Sequence, residues 1–189
     1  CGMMCAPDNA AAAAFNAADR TRRDDNVDAS LLLRKATSAQ QSVELGLARK
    51  TRSPNLYERY SWGRGSMAMT MIGWFGDGNG YVGDIGLRPE VAHTVSATMD
   101  WHDAARDTWS LQLTPYARYV KDYIDADPMG SFNPYRRTTE TRTLLRFANH
   151  DARLFGANLS GNWLAWRSAD WGQWTWQGKL DWTRGHRTD

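Results

Sequence analysis

The chain has 189 residues, enough for one ordinary domain, and its aromatic residues are 10 Trp, 7 Tyr and 5 Phe. A formal net charge of +2 gives no reason to expect a nucleic-acid partner or an acidic substrate. No run of about 18 apolar residues occurs, which excludes a membrane-spanning helix but not a membrane barrel, because alternating strands have low hydropathy. Tryptophan rings suit a membrane–water boundary, and a Trp-rich soluble β-domain is the alternative that composition leaves open.

The N-terminal segment is interpreted as a loop. The chain starts at Cys1 with neither an initiator methionine nor a signal peptide, so we interpret it as an internal piece of a longer protein. Asp8 or Asn9 can cap a helix in the alanine run that ends near Ala18, since alanine has the highest helix propensity. Residues 1–26 are therefore predicted to be an extracellular loop with a short Ala-rich helix.

From Val27 onward, apolar residues recur at every second position, which is the spacing of a half-buried strand. The connections alternate between short polar turns and two long loops, over residues 51–89 and 122–140. Outer-membrane barrels have short periplasmic turns and long extracellular loops, whereas a soluble sandwich has no reason to alternate loop lengths. The predicted strands cover residues 27–34, 42–47, 91–101, 109–123, 141–166 and 173–182.

This pattern predicts an all-β fold, namely an antiparallel transmembrane β-barrel segment of about six strands. Such a segment alone would leave unpaired strand edges, which cannot face lipid, so we expect it to belong to a larger barrel. The residues predicted to face lipid share one parity on these strands; they are Val95, Ala97, Leu111, Leu113, Phe155, Leu159, Trp174, Trp176 and Leu180.

Two spaced motifs flank the first long loop. The first follows an R-x-P-x-L-x-E-like pattern, and the second a G-N-x-x-L-x-P-E-like pattern in which Asp84 replaces the usual Asn. The matching residues are Arg52, Pro54, Leu56 and Glu58 in the first motif, and Gly83, Leu87, Pro89 and Glu90 in the second.

In this order the two motifs resemble the C-terminal barrel of TonB-dependent outer-membrane receptors, over roughly Val27 to the end of the chain. The resemblance implies a barrel of about 22 strands in the outer membrane of a Gram-negative bacterium. Residues 27–189 would be part of that barrel, and the plug domain is absent from the chain. The implied partners are outer-membrane lipid, the remainder of the barrel, its plug, and the TonB complex acting through a missing N-terminal region.

Methionine and cysteine are concentrated in the segments that strand parity makes extracellular. Methionine normally packs in a buried core, so its presence in exposed segments calls for another role. Thioether and thiolate sulfurs are soft donors that select Cu(I). The M-x-M-x-M spacing of an extended chain puts three sulfurs on one side. We therefore predict a metal site, and the resemblance adds that some receptors of this family handle copper. Its candidate ligands are Cys1, Met3, Met4, Cys5, Met67, Met69 and Met71.

Alternatives to the copper site remain open. The methionines can simply pack against other loops, and Cys1 and Cys5 can form a disulfide outside the cell. Asp77, Asn79 and Asp84 faintly resemble a calcium loop, without its terminal bidentate Glu. A ferric-siderophore receptor would bind its ligand through aromatic and basic loop residues, for which the candidates are Trp62, Arg64, Trp74, Tyr135, Arg136 and Arg137.

The chain contains no arrangement typical of catalysis. Its four histidines are scattered, and neither a Ser-His-Asp set nor a carboxylate pair is evident, so we expect no enzyme and no required cofactor. The favoured function is import of a scarce solute, with copper as the possible cargo, and a passive porin or barrel adhesin is the alternative of a different class.

Overall fold

The computed structural model describes residues 6–63, 76–133 and 141–189. No helix within those ranges is long and apolar enough to cross a membrane. The elements, in chain order, are α1 (Ala6–Ala17), β1 (Ala29–Ser38), β2 (Gln41–Arg52), α2 (Leu56–Tyr60), β3 (Gly80–Val82), β4 (Glu90–His102), β5 (Trp109–Phe132), β6 (Arg142–Ser168) and β7 (Gly172–Arg187).

The seven described strands form one sheet in the order β1-β2-β4-β5-β6, with β7 also paired to β6 and β3 paired to the start of β6. The long strands are antiparallel, as the registers of β1 with β2, β4 with β5 and β6 with β7 show, whereas β3 runs parallel to β6. β1 and β7 are not paired with each other within the described residues, so the sheet stays open. The predicted all-β antiparallel fold is confirmed.

The chain divides into two compact units. One, which we call the wall unit, comprises Val27–Thr51, Val91–Lys121 and Asp151–Asp189. The other, which we call the loop unit, comprises Cys1–Asn26, Arg52–Glu90 and Asp122–His150. The buried core of the loop unit consists of Tyr81, Leu87, Ile124 and Phe147, with Ala126 and Leu145 packed against it.

The wall unit has one apolar and one polar face, because side chains alternate along each strand. Apolar residues lie opposite one another in the register, for example Leu33 with Leu45 and Leu159 with Leu180. The other face is polar, where Thr98 and Thr114 are hydrogen-bonded at 3.0 Å. We call the apolar side the outward face; it carries all nine residues that are predicted above to face lipid.

Tryptophans cluster at the end of the wall unit where the chain makes short turns. β4 and β5 are joined by residues 103–108, and β6 and β7 by residues 169–171. A belt of aromatic residues at the membrane–water boundary is typical of the strands of outer-membrane barrels. Seven of the ten tryptophans lie within six residues of these two turns; they are Trp101, Trp109, Trp163, Trp166, Trp171, Trp174 and Trp176.

The first half of the second predicted loop is strand. β5 runs to Phe132, so residues 124–132, which the sequence places only within a loop, belong to the strand. Ile124 and Ala126 are two positions apart, so an extended backbone directs both side chains to the same side, where they join the core of the loop unit. Apolar packing in the loop unit therefore favours a strand over a flexible loop here.

Candidate functional site

The two motifs that flank the first long loop meet at one guanidinium group. Arg52 Nη1 lies 2.9 Å from Glu58 Oε2, and Arg52 Nε lies 2.7 Å from Glu90 Oε2. The two carboxylate side chains are only 9% and 13% exposed. Hydrogen bonds to Glu90, the largest cause, together with those to Glu58 raise the pKa of Arg52 although burial opposes them. The guanidinium therefore stays charged and holds two largely buried anions together.

Glu58 also begins α2. Asn55 Oδ1 accepts a hydrogen bond from Glu58 N at 2.8 Å, and Glu58 Oε2 accepts one from Asn55 N at 2.8 Å. This reciprocal capping satisfies two of the amides that a helix N-terminus leaves unpaired. In the second motif, Glu90 Oε1 accepts a hydrogen bond from Ile124 N at 2.7 Å. The motif carboxylates thus fix backbone segments that are distant in sequence.

Gly83 packs directly against the backbone at the C-terminal end of α2. A Cβ atom at this position would lie 2.8 Å from both the carbonyl carbon of Arg59 and the carbonyl oxygen of Glu58. Gly83 N donates to Ser61 O at 2.6 Å, and Asp84 N donates to Glu58 O at 2.9 Å. Only glycine allows the chain after β3 to approach this closely, so the glycine of the second motif is needed for packing.

A further polar cluster joins the second motif to β5 and β6. Arg88 forms an ion pair with Asp122, and Arg88 N donates to Asn149 Oδ1 at 2.8 Å. Asn149 Nδ2 in turn donates to the backbone oxygens of Arg88 and Asp122 at 3.0 and 2.8 Å. One asparagine side chain therefore ties together backbone from three parts of the loop unit.

Arg59 is the most enclosed cation of these clusters. Its side chain is 7% exposed, its two terminal nitrogens lie 2.8 Å from the two carboxylate oxygens of Asp24, and one of them also donates to Leu87 O at 2.8 Å. Its Nε atom is buried and has no hydrogen-bond partner among the residues that the structure describes. The hydrogen bonds from Arg59 lower the pKa of Asp24 despite the opposing effect of burial, so the pair is charged at neutral pH.

A pocket of about 290 Å³ lies beside this arginine, within the loop unit. Trp62 and Phe15 line it, and their rings stack with centroids 6.0 Å apart and an interplanar angle of 30°. Arg59 and Arg146 also line it, and Arg146 Nη2 lies 2.7 Å from Asp84 Oδ2. The pocket therefore offers aromatic faces beside two guanidinium groups that are already paired with Asp24 and Asp84, a combination that suits a ligand with aromatic rings.

The ion pair to Arg146 explains the departure at Asp84 from the second motif. Asp84 Oδ1 accepts a hydrogen bond from Gly86 N at 2.7 Å, which an asparagine oxygen could also accept. Only a carboxylate can pair its second oxygen with Arg146 as an ion pair. The departure from the motif thus places a carboxylate beside Arg146 at the pocket.

The structure describes one member of the predicted aromatic and basic set, Trp62, and it lines this pocket. The remaining members, Arg64, Trp74, Tyr135, Arg136 and Arg137, lie outside the described residues. All seven predicted copper ligands lie there too, namely Cys1, Met3, Met4, Cys5, Met67, Met69 and Met71.

The oxygen ligands of the faint calcium pattern have other partners. Asp77 accepts hydrogen bonds from Asn79 N at 3.0 Å and from the Tyr81 hydroxyl at 2.6 Å. Burial, followed by the bond to Asp77, raises the pKa of Tyr81 to about 12, so the hydroxyl remains a donor. Among the described residues no group of three or more His, Cys, Asp or Glu side chains could hold a metal ion.

Sequence reasoning missed Phe15, Arg59 and Arg146 as residues of the pocket. Two signals could have found the arginines: Arg59 directly follows the Glu of the first motif, and a carboxylate at Asp84 in place of the usual Asn suits a cationic partner. Phe15 is the only large apolar residue of α1, but nothing in the sequence says that it meets Trp62.

An antiparallel wall with an apolar outward face, a polar opposite face and short turns beside clustered tryptophans defines an outer-membrane β-barrel. Residues 8–189 match the family model described as TonB dependent receptor-like, beta-barrel. The chain therefore belongs to the β-barrel family of TonB-dependent receptors, proteins of the Gram-negative outer membrane.

Solved structures of similar fold agree with this assignment. The siderophore receptor PirA from Pseudomonas aeruginosa is 24% identical with a TM-score of 0.56, and the alignment covers 85% of this chain and 28% of that one. A structure titled copper transporter OprC is 17% identical with a TM-score of 0.55, covering 85% and 20%. PirA from Acinetobacter baumannii is 18% identical with a TM-score of 0.51, covering 82% and 22%.

These identities show a shared fold alone, and the chain spans less than a third of the length of each neighbour. No curated protein sequence matches the chain significantly.

Proposed function

We propose that this chain supplies part of the wall and outer loops of a receptor that imports a scarce metal or metal complex across the outer membrane. Family membership and the polar, pocketed loop unit support the proposal. Residues 1–26 would form an extracellular loop with a short helix, and residues 27–189 a partial barrel. The remainder of the barrel, a plug and the TonB complex would be its partners, and neither catalysis nor a cofactor is involved.

The pocket geometry favours a metal chelate with aromatic groups, as in the ferric-siderophore alternative. The observation that carries this proposal is the placement of Trp62 beside Arg59 and Arg146 in one pocket. An aromatic chelate would stack on the indole, next to Arg59 and Arg146, whose charges are balanced by Asp24 and Asp84. Two of the structural neighbours are titled siderophore receptors, which agrees with this cargo class.

Replacing Trp62 by alanine in the intact receptor is expected to weaken binding of an aromatic ferric chelate by roughly 3- to 10-fold, because one aromatic stacking contact is lost. Equilibrium binding to outer-membrane vesicles measures the effect, and uptake by cells with and without TonB measures coupling. Trp171→Ala is the matched control, since Trp171 is 79% exposed in a short turn of the wall unit. Equal loss in both variants would contradict the pocket, and uptake independent of TonB would favour a passive porin.

Copper is the second candidate cargo. The M-x-M-x-M spacing of Met67, Met69 and Met71 provides soft donors, and one structural neighbour is titled a copper transporter. Thioethers have no proton to lose, so binding through methionine persists in mild acid, whereas binding through a cysteine thiolate weakens. The two sulfur types are thus separable by pH.

The triple variant Met67→Leu/Met69→Leu/Met71→Leu is expected to keep the fold, because leucine and methionine have similar volumes. Its Cu(I) affinity at about pH 5–6 should fall, while zinc binding should hardly change because zinc prefers Cys, His and carboxylate ligands. Competition with a Cu(I) chelator measures the affinity. An unchanged Cu(I) affinity would show that these methionines pack within the loop and do not bind copper. The metal chelate would then be the remaining proposed cargo.

A further inference from the structure

The outward face of the wall unit ends in a group of cations at the end away from the short turns. We call Lys121, Arg153 and Arg184 the basic patch. In the register, Lys121 lies opposite Val91, Arg153 opposite His186, and Arg184 opposite Phe155. All three side chains are exposed.

Side-chain contacts establish that these positions share one face. The Tyr119 hydroxyl donates to Asp151 Oδ2 at 2.5 Å, which joins the outward faces of β5 and β6. Phe155 packs edge-on against Trp182, with centroids 6.0 Å apart, and against His186 at 6.4 Å. The basic patch therefore borders a band of aromatic rings formed by Tyr119, Phe155 and Trp182.

In the described part of the chain, the cations of the patch form no ion pair, and the carboxylate on the same face, Asp151, accepts a hydrogen bond from Tyr119. Within the described residues, Lys121, Arg153 and Arg184 make neither an ion pair nor a side-chain hydrogen bond. Arginines on the opposite face of the same sheet do have partners: Arg118 donates to Thr94 at 3.0 Å, and Arg34 forms an ion pair with Asp100 at 3.8 Å.

The two ends of the outward face also differ in charge. Near the short turns, the outward positions of β4, β5 and β7 hold tryptophans, for example Trp101, Trp109 and Trp176, and an outward cation at this end, Lys35, lies on β1. Aromatic rings alone suffice for a generic membrane boundary. The cations at the other end therefore require a separate explanation.

We propose that the basic patch binds the phosphate-bearing headgroups of lipids in the leaflet at the long-loop end of the wall. The patch is continuous with the apolar outward face, so a lipid whose chains lie on that face brings its headgroup to the three cations. Long Lys and Arg side chains extend from an apolar surface to the headgroup layer while the aromatic rings occupy the boundary. Unpaired cations at that depth attract anionic lipid over neutral lipid.

The test uses the intact receptor in phosphatidylcholine vesicles that contain either spin-labelled phosphatidic acid or spin-labelled phosphatidylcholine. The electron paramagnetic resonance spectrum gives the preference for the anionic lipid over the neutral one at the protein surface. In Lys121→Gln/Arg153→Gln/Arg184→Gln this preference should fall at least roughly tenfold. The matched variant Arg34→Gln/Arg118→Gln/Lys179→Gln, on the opposite face, should keep it.

The salt dependence of the unaltered receptor provides a second measurement in case the triple variant fails to insert. Its preference for phosphatidic acid should decline as salt rises to about 0.5 M, because the exposed charges are screened. A preference unaffected by salt, or reduced equally in both triple variants, would overturn the proposal. Displacement of the anionic lipid by millimolar inorganic phosphate would also overturn it, because the patch would then be a site for a soluble anion.

Discussion

Replacing Leu180 by arginine is expected to destabilise the intact receptor by about 2–4 kcal/mol in a bilayer. Leu180 lies on the outward face of β7, opposite Leu159, and its side chain is 66% exposed in the isolated sheet. It is halfway along β7 between Trp176 and Arg184, so its depth is close to the middle of the apolar band. A guanidinium group there must lose its water or thin the bilayer, and either consequence raises the free energy of the folded state.

Urea-induced unfolding of the receptor in lipid vesicles measures this change. Gln177→Arg is the matched control, because Gln177 is on the opposite face of the same strand and pairs with Asn162. Arginine on that polar face should change the free energy of unfolding by no more than about 1 kcal/mol. Equal destabilisation by the two variants would show that the outward face does not contact lipid.

Replacing Arg52 by alanine is expected to destabilise the loop unit by about 2–4 kcal/mol. The substitution leaves Glu58 and Glu90, each largely buried, without the cation that both of them contact. Repulsion between the two carboxylates and their incomplete hydration then oppose the folded state. Glu58 also caps α2, so we expect the first segment to open to be α2 together with the residues that pack on Gly83.

Hydrogen exchange of the backbone amides in residues 55–61 and 83–90 measures this opening. Arg23→Ala is the matched control, because Arg23 pairs with Asp25 while both side chains are about four-fifths exposed (86% and 79%). An exposed pair of this kind contributes at most about 1 kcal/mol, so protection in the control should stay near that of the unaltered receptor. If Arg52→Ala left exchange in these segments unchanged, the motif cluster would not be what holds the loop unit together.

The motif residues have a different role from the one that their position in a long outer loop indicates. Conspicuous residues in such a loop are natural candidates for ligand binding. Arg52, Glu58 and Glu90 instead bind one another, and Gly83 provides a close backbone approach. They brace the loop unit, and the pocket next to them is lined by side chains such as Trp62 and Arg146 that belong to neither motif.

The sequence alone determined the strands and their faces. In residues 94–101 of β4 and 173–182 of β7, apolar and polar residues alternate without a break, and a period of two assigns each side chain to a face before any partner is known. Loop lengths then distinguished a membrane barrel from a sandwich, and the spacing of Arg52 to Glu58 and of Gly83 to Glu90 identified the family.

Only the tertiary structure decided which residues meet. The pairing of Arg52 with Glu90 spans 38 positions, and the stacking of Phe15 on Trp62 depends on how α1 packs within the loop unit. The basic patch likewise depends on the register that sets Arg153 against His186 and Arg184 against Phe155. A local pattern fixes the face of the strand to which a side chain points, because backbone geometry repeats. It does not fix which residue that side chain contacts, because strand register and loop packing are set by long-range contacts.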